Sequence, residues 1–547
     1  MSTTQHTNGL LWRATGSRGL VFIYTMLIAL AVAPLHAQFI YTDLHDLNCD
    51  TDGCSPYDYG QLAQGADGNL YGTAWGGGTY GAGTIFMITP SGSYTALYNF
   101  DGPHGSNPNG GLTLANDGNF YGTTYHGGKF GYGAIFRFAP PNTLTVLFSF
   151  HFLRNGDNPL APPIQGADGN LYGGTSSGAV YRLTLPAGSF QLLGNGLGQV
   201  ADPLYLASDG NLYGTTYNGG NGGGTIFRVT GDQITDVYSF QCGYDGCYPI
   251  GPLTQGPGSD TTLYGTTESG GLDYYGGNVF KMTLSGTISS IYYFDCGPDG
   301  CNPYAGVLSA SDGFLYGANS GCGNGANDGS IYQITTTGSS FQTLYDFSGP
   351  DGSSPQNTPI QHTNGCIYGT SAGYYSPGNV YSECSQNNIV RLVKIEGPIF
   401  VLPGVAVQVL GDNLTETYSV AFAGETTSFR AGSDTVLTAQ VPQDAVDGYV
   451  TVTYVTGAQV QTVSPIHIMP MIASFSPKSA GVGTQVQIEG GGFAGATQVT
   501  FSGVNAAFRI VGSTQIVATV PPGASTGKIV VTTPNGTATS KTKFRIT

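Results

Sequence analysis

The side chains with most chemistry to offer cluster between residues 104 and 157: His104, His126, Lys129, His151, Arg154 and Asp157. Imidazole binds metals and moves protons near neutral pH, and the cations and carboxylate suit a polar ligand. A second set is aromatic: Trp75, Tyr80, Tyr125, Tyr217, Tyr274 and Tyr275, with Phe130, Tyr132, Tyr374 and Tyr375 in similar stretches. These rings lie among Gly and Asn with little charge, a setting that suits stacking on sugars or contact with protein. Gly174-Thr175-Ser176-Ser177-Gly178 matches the G-x-S-x-G string of serine hydrolases. That chemistry needs a strained strand-to-helix elbow with an acid and a histidine beside it. Here the string falls between two strands, so it reads as a product of Gly/Ser composition. None of the G-x-G strings opens a helix, so phosphate binding is not supported. No catalytic set is expected.

Cysteine spacing points to disulfides. Cys49 with Cys54, Cys242 with Cys247 and Cys296 with Cys301 share one C-x4-C spacing. Each pair is expected to close a small loop, which the chain-entropy model values at roughly 2 kcal/mol. Cys366 and Cys384 fall on two strands of one expected hairpin centred near Tyr375 and are paired as well. Cys322 is left over. Zinc sites prefer tighter pairs that converge on one point, so no metal site is expected. The Asp50-Thr51-Asp52-Gly53 and Asp299-Gly300 loops offer oxygens that suit Ca2+. No other cofactor is expected.

What positions these residues is a repeat. Asp209-Gly210-Asn211-Leu212-Tyr213-Gly214-Thr215-Thr216 recurs in variants with the tyrosine at Tyr71, Tyr121, Tyr172, Tyr213, Tyr264, Tyr316 and Tyr368, in steps of 50, 51, 41, 51, 52 and 52 residues. Such a period marks a repeat architecture. In the unit over 111–150, Asp117-Gly118 is a hairpin turn between 111–116 and 119–125. Strands follow at 134–138 and 144–150, rich in β-formers. Four antiparallel strands per unit make a propeller blade, and seven units suit a seven-bladed ring spanning 38–392. Residues 39–47 resemble a fourth strand and are expected to complete the last blade, leaving only protected edges. The first-to-second and third-to-fourth turns are short and share one face. The long, aromatic-bearing loops share the other. Unit 3 shortens its loop between Thr175 and Val180, leaving a notch beside the histidines.

Composition fits a chain exported from the cell. Residues 1–37 read as a signal peptide, with Arg13 and Arg18 before an apolar stretch at 20–33 and Ala37 at the cleavage point. No other stretch is apolar enough to span a bilayer, so no integral membrane span is expected after its removal. Residues 38–392 carry 7 basic and 25 acidic residues, 23 of them Asp, and residues 393–547 carry 8 of each. Asp is a turn residue, so the acidity follows from the loops. It argues against nucleic acid, which would want a basic stripe.

Beyond 393 the repeats stop. Residues 393–468 and 469–547 each show short alternating strands with Gly/Pro turns, the pattern of a β-sandwich. Residues 471–546, with Ser476-Pro477, Gly481-Val482-Gly483, Gly490-Gly491-Gly492-Phe493 and Val520-Pro521-Pro522, closely resemble an IPT/TIG domain, an immunoglobulin-like sandwich. The first segment departs from it, with Gly397-Pro398 and Gly411-Asp412-Asn413-Leu414 at the matching places. The repeats, through the DGNLYGTT run, Gly219 to Phe227 and the LYxF strand, resemble the GloVer-type tandem repeat of choice-of-anchor bacterial surface or secreted proteins. The DGNLYGT core is also similar to the regulator-type propeller repeat of sensor ectodomains. These resemblances imply an all-β scaffold outside the cell and carry no catalytic set. The expectation is a secreted or cell-surface binding or adhesion protein whose propeller recognises glycan or extracellular protein, with the sandwiches as stalk. Two alternatives are a propeller lyase or hydrolase acting on polysaccharide and a structural surface protein without ligand. Oligomeric state is not legible.

Overall fold

A computed structural model describes residues 39–56, 61–186, 188–271, 276–322, 328–373, 377–385, 392–397 and 399–547. The expected leader at 1–37, and Tyr274, Tyr275, Tyr374, Tyr375 and Pro398, lie outside the described residues.

The repeat signature is turn chemistry. Asp67 accepts the Asn69 N–H at 3.1 Å through one oxygen and the Tyr71 hydroxyl at 2.8 Å through the other. The carboxylate thus closes the turn and anchors the strand that leaves it. The same bond joins Tyr121 to Asp117, Tyr172 to Asp168, Tyr213 to Asp209, Tyr264 to Asp260 and Tyr316 to Asp312. In the last repeat Asn364 takes the Asp place, and its amide donates to the Tyr368 hydroxyl at 2.8 Å. The glycine after each tyrosine has a packing reason. Gly214 pairs with Phe227 on the next strand, and a Cβ at Gly214 would come within 2.5 Å of that ring.

Each repeat forms a four-stranded antiparallel sheet. The first blade is Ala63–Gln64, Leu70–Ala74, Thr84–Ile88 and Tyr94–Asn99, and five more follow over 113–149, 164–194, 205–239, 247–293 and 308–346. The seventh contains Ile360–Gln361, Ile367–Ser371 and Asn379–Ser385, and Phe39–Asp46 pairs antiparallel with the last of these. The protein is therefore all-β, a seven-bladed propeller followed by two Ig-like sandwiches.

The ring is held by what lies between blades. Apolar clusters join each blade to the next, such as Tyr71, Ile85 and Phe100 with Leu112, Phe120 and Phe136. A matching cluster joins the first blade to the seventh through Leu70, Phe86 and Ile88 with Cys366, Tyr368 and Val380. A second recurring contact sets a proline against a glycine of the preceding repeat. A Cβ at Gly83, Gly133, Gly277 or Gly329 would strike Pro108, Pro159, Pro303 or Pro355, and one at Gly378 would come within 2.7 Å of Pro56. The last contact crosses the junction between the ends of the ring.

Both sandwiches share one topology. In the first, Lys394–Ile395, Ala406–Leu410, Val436–Gln440 and Phe429–Ala431 face Glu425–Thr427, Thr417–Phe422, Val450–Tyr454 and Gln459–Gln461. The second repeats this order from Met471–Ser476 onward, each around its own apolar core. The first sandwich packs on the short-turn face of the propeller. Thr435 donates to the Ala66 carbonyl at 2.8 Å, Thr363 to the Gly411 carbonyl at 3.3 Å, and Lys394 to the Gln361 carbonyl. Gly397, Ile399 and Ser464 line the same central cavity of about 400 Å³ as the inner strands Thr113–Leu114, Ile164–Gln165 and Tyr205–Leu206. This mouth of the ring is covered.

The cysteines correct three expected pairings. Cys366 and Cys384 are bonded, but Cys301 bonds to Cys322, so the Cys296 to Cys301 pairing is not made. The reason is a bridge between loops: Cys301 and Gly321 exchange backbone hydrogen bonds at 3.0 and 3.2 Å, which sets Cys322 beside Cys301. Cys49, Cys54, Cys242 and Cys247 are thiols rather than disulfides. Each pair is in contact, and burial with the neighbouring sulfur pushes the Cys54 and Cys242 thiols up to about 12.

Candidate functional site

With one mouth covered, the long-loop face is where the remaining polar and aromatic groups gather. In six repeats a residue just past the second strand is tied to the loop entering its own blade. The N–H of Trp75, Tyr125, Ser176, Tyr217, Ser320 and Ala372 bonds the carbonyl of Ser55, Asn107, Asn158, Gln199, Asn302 and Ser354 at 2.8–3.3 Å. Five of these carbonyl residues precede proline, and Ser55, Asn107, Asn158, Asn302 and Ser354 hold φ between +48° and +58°. Asn tolerates that conformation better than most residues, so Asn-Pro recurs there. In the fifth repeat the same place is Glu268. Rigid strand ends thus carry a collar of Trp75, Tyr125, Ser176, Tyr217, Glu268, Ser320 and Ala372.

Two sectors of the collar are built up. In the first, Trp75 lies 5.5 Å from Tyr125 and 6.3 Å from His126, and the Tyr125 and His126 rings meet edge-on at 4.5 Å. Asn158 donates to the Tyr125 carbonyl at 2.7 Å, and its amide lies 3.3 Å from His126 Nδ1. Further out, Phe130 meets His151 at 5.1 Å, Lys129 lies over Phe130 at 5.2 Å, and Tyr132 stacks on Phe152 at 5.8 Å. Tyr80, Phe130, Tyr132 and Phe152 are all exposed.

In the second sector Tyr217 stacks on Tyr248 at 4.9 Å and lies beside the Glu268 carboxylate. Tyr304 donates to Glu268 Oε1 at 2.8 Å. Burial and the Glu268 carboxylate raise the Tyr217 pKa, so its hydroxyl stays protonated. The other Glu268 oxygen is buried and has no hydrogen-bond partner among the described residues. A buried acceptor without a donor is uncommon and costly.

The expected residues divide as follows. Trp75, Tyr125 and His126 come together, Lys129 and His151 meet at Phe130, and Tyr217 belongs to the second sector. His104 is turned onto Asp101 at 2.8 Å, Arg154 is exposed on the short helix Phe152–Asn155, and Asp157 is buried with one oxygen unpartnered. His104, His126 and His151 form no metal-ligating group; among the described residues the single such group is Cys296, Cys301 and Cys322. Ser176 donates to the Asp157 carbonyl at 3.2 Å in a β-turn, not at a helix elbow. In the loops offered for Ca2+, Asp52 already accepts from Thr51, Asn48 and His45, and Asp299 from Tyr292. Glu268, Tyr248 and Tyr304 were missed. The signal was present for one of them, since Glu268 is one of two glutamates among 25 acidic residues over 38–392.

Fold and face together define a repeat-built propeller carrying a loop collar on one side and Ig-like sandwiches on the other. The Gloeobacter/Verrucomicrobia repeat matches residues 4–195 and 176–382, and the IPT/TIG domain matches residues 470–546. The chain belongs to the Gloeobacter/Verrucomicrobia repeat family, with an IPT/TIG domain at its C-terminal end. No curated protein matches the sequence. Among solved structures it is similar to a fungal alcohol oxidase of the AA5 family in complex with copper, at 12% identity over 79% of this chain and 98% of that one, TM-score 0.46. It is also similar to an oligogalacturonate lyase from Vibrio parahaemolyticus, at 11% identity over 64% and 98%, TM-score 0.44. A surface glycan-binding protein from Prevotella bryantii matches at 16% identity over 27% and 38%, TM-score 0.20. None of their activities is carried over to this chain.

Proposed function

We propose that this protein is a secreted or cell-surface, non-catalytic binding protein that holds glycan on the long-loop collar of its propeller. The observation that carries the reading is the segregation of half-exposed rings and hydrogen-bonding groups onto one face while a sandwich covers the other. Trp75, Tyr125, Tyr217 and Tyr248 supply flat apolar surface for sugar rings, and Glu268, His126 and Asn158 supply polar partners for hydroxyls. Acidic residues outnumber basic ones 25 to 7 over 38–392, so neutral glycans fit better than polyanions. The short-turn face is engaged by the first sandwich, and the second sandwich is left to act as the stalk.

The test is an array of immobilised neutral and acidic glycans probed with the full chain and with Trp75→Ala/Tyr125→Ala. The reading expects retention of neutral glycans by the parent and loss in the variant, with no bond cleavage in the bound glycan. Retention unaffected by the variant rejects the collar, and cleavage of the glycan supports an enzyme instead. Capture of protein ligands alone would reject the glycan class.

A further inference from the structure

A buried carboxylate stands without a partner where the first sandwich meets the short-turn face. The Glu396 N–H donates to the Gln408 carbonyl at 3.0 Å, which fixes its backbone beside the strand Ala406–Leu410. Its side chain lies against the hairpin turn of the second blade. A Cβ at Gly118 would sit 3.6 Å from Glu396 Oε1, and one at Gly397 would strike Asn116 Oδ1. Glu396 is only 5% exposed, and neither carboxylate oxygen has a hydrogen-bond partner among the described residues. Burial, and then the nearby Asp117 carboxylate, push its carboxyl up, as expected of a charge with nothing to balance it.

Glu396 lines a cleft of about 500 Å³ between the propeller and the first sandwich. Asp168, in the matching turn of the third blade, lines it as well, and Val405, Val407 and Met469 supply apolar wall. No lysine, arginine or histidine is among the described residues that line it. Asp117 and Asp168 are spent on their own turns, accepting from Asn119 and Tyr121 and from Asn170 and Tyr172. They add negative potential and leave Glu396 as the group with room for new donors. The volume is that of a small-molecule site, in which apolar walls surround a few placed polar groups.

We propose that this cleft binds a small primary ammonium compound with a short apolar stem, its N–H donors on Glu396 and its stem along Val405, Val407 and Met469. The carboxylate sets the sign of the ligand, because a buried charge without a partner gains most from an opposite charge that also donates hydrogen bonds. The walls set the stem. A bare metal ion fits worse. Ca2+ takes about six to eight oxygens, and Glu396, Asp117 and Asp168 do not converge as a ligating group. The cleft lies on the covered face, so it is independent of the glycan collar.

The experiment is calorimetric titration of the full chain with pentylammonium chloride, with pentan-1-ol and with calcium chloride. The parent should bind pentylammonium saturably and far more tightly than the neutral alcohol. Glu396→Gln keeps the shape, removes the buried charge and should weaken pentylammonium about tenfold or more. Ala406→Trp, placed on an exposed lining residue, fills the cleft with Glu396 intact and should abolish binding. Either variant decides the matter if the other fails to fold. No binding by the parent, equal affinity in Glu396→Gln, or equal affinity for pentan-1-ol would overturn the proposal. Calcium binding that is lost in Glu396→Gln, with none of the amine, would overturn it in favour of a metal.

Discussion

Glu383 offers the sharpest test of the packing between blades. It pairs with Ile367, and in the other blades that place is held by Ile88, Phe138, Leu183, Val229, Met282 and Ile334, all of them apolar. Only 1% of Glu383 is exposed, and neither carboxylate oxygen has a hydrogen-bond partner among the described residues. Burial pushes its carboxyl from 4.5 to about 7. A group raised in the folded state is neutral in both states below its unfolded value, so it carries no penalty there. As pH rises toward 7 the unfolded chain ionises first, and stability falls. Above both values the penalty is full, about 3 kcal/mol for a move of this size. Glu383→Gln keeps the shape and removes the charge. It should match the parent near pH 4.5 and exceed it by up to about 3 kcal/mol at pH 8, a few degrees in the midpoint of propeller unfolding. The groups facing Glu383 are Tyr316, Tyr345 and Tyr381, with pKa values all raised by burial, so they stay protonated over this range. Asp43, raised by burial and by Asp46, is present in both proteins and cancels in the difference. The assay is thermal unfolding of parent and variant in matched buffers from pH 4.5 to 8.5. A difference that is flat with pH would refute the reasoning.

Three further outcomes are expected. Gly214→Ala forces a Cβ into the Phe227 ring and should cost about 1–3 kcal/mol in denaturant unfolding; a neutral result contradicts the ring-over-glycine packing. Deleting Phe39–Asp46 leaves Asn379–Ser385 as a bare edge, so amide exchange in that strand should speed up strongly relative to the fourth blade; unchanged protection contradicts the pairing. Burial holds the Lys394 amine down to about 8, and a depressed amine penalises folding most below that value and not above 10.5. Lys394→Met loses one hydrogen bond, so it should stabilise by about 1–2 kcal/mol at pH 7, with the gain shrinking from pH 8 to 10.5; a pH-independent gain contradicts burial of the amine under the first sandwich.

The fold class was legible because its cause is local. Asp, Gly, Asn and Tyr at fixed offsets are the turn itself, as the Asp209 to Tyr213 bond shows, so the repeat could be counted from the chain. The sandwiches were legible through strand alternation. What was not legible is what depends on distant loops meeting. Cys322 looked left over because the bridge that carries it to Cys301 joins two separate loops. The covering of one mouth was equally hidden, since Lys394, Gly397 and Thr435 look like ordinary sandwich residues until they touch the propeller turns. The aromatic positions announced themselves by composition, whereas Glu268 gained meaning only beside Tyr217 and Tyr304.

Calorimetric titration of the full chain with the strongest neutral glycan from the array tests the collar most directly. Trp75→Ala/Tyr125→Ala should weaken binding about tenfold or more, since each lost ring contact is worth about 1 kcal/mol. Tyr418→Ala, on an exposed ring of the first sandwich, should leave it unchanged. Equal affinity for the parent and the collar variant, or loss only with Tyr418→Ala, would contradict the assignment of binding to this face.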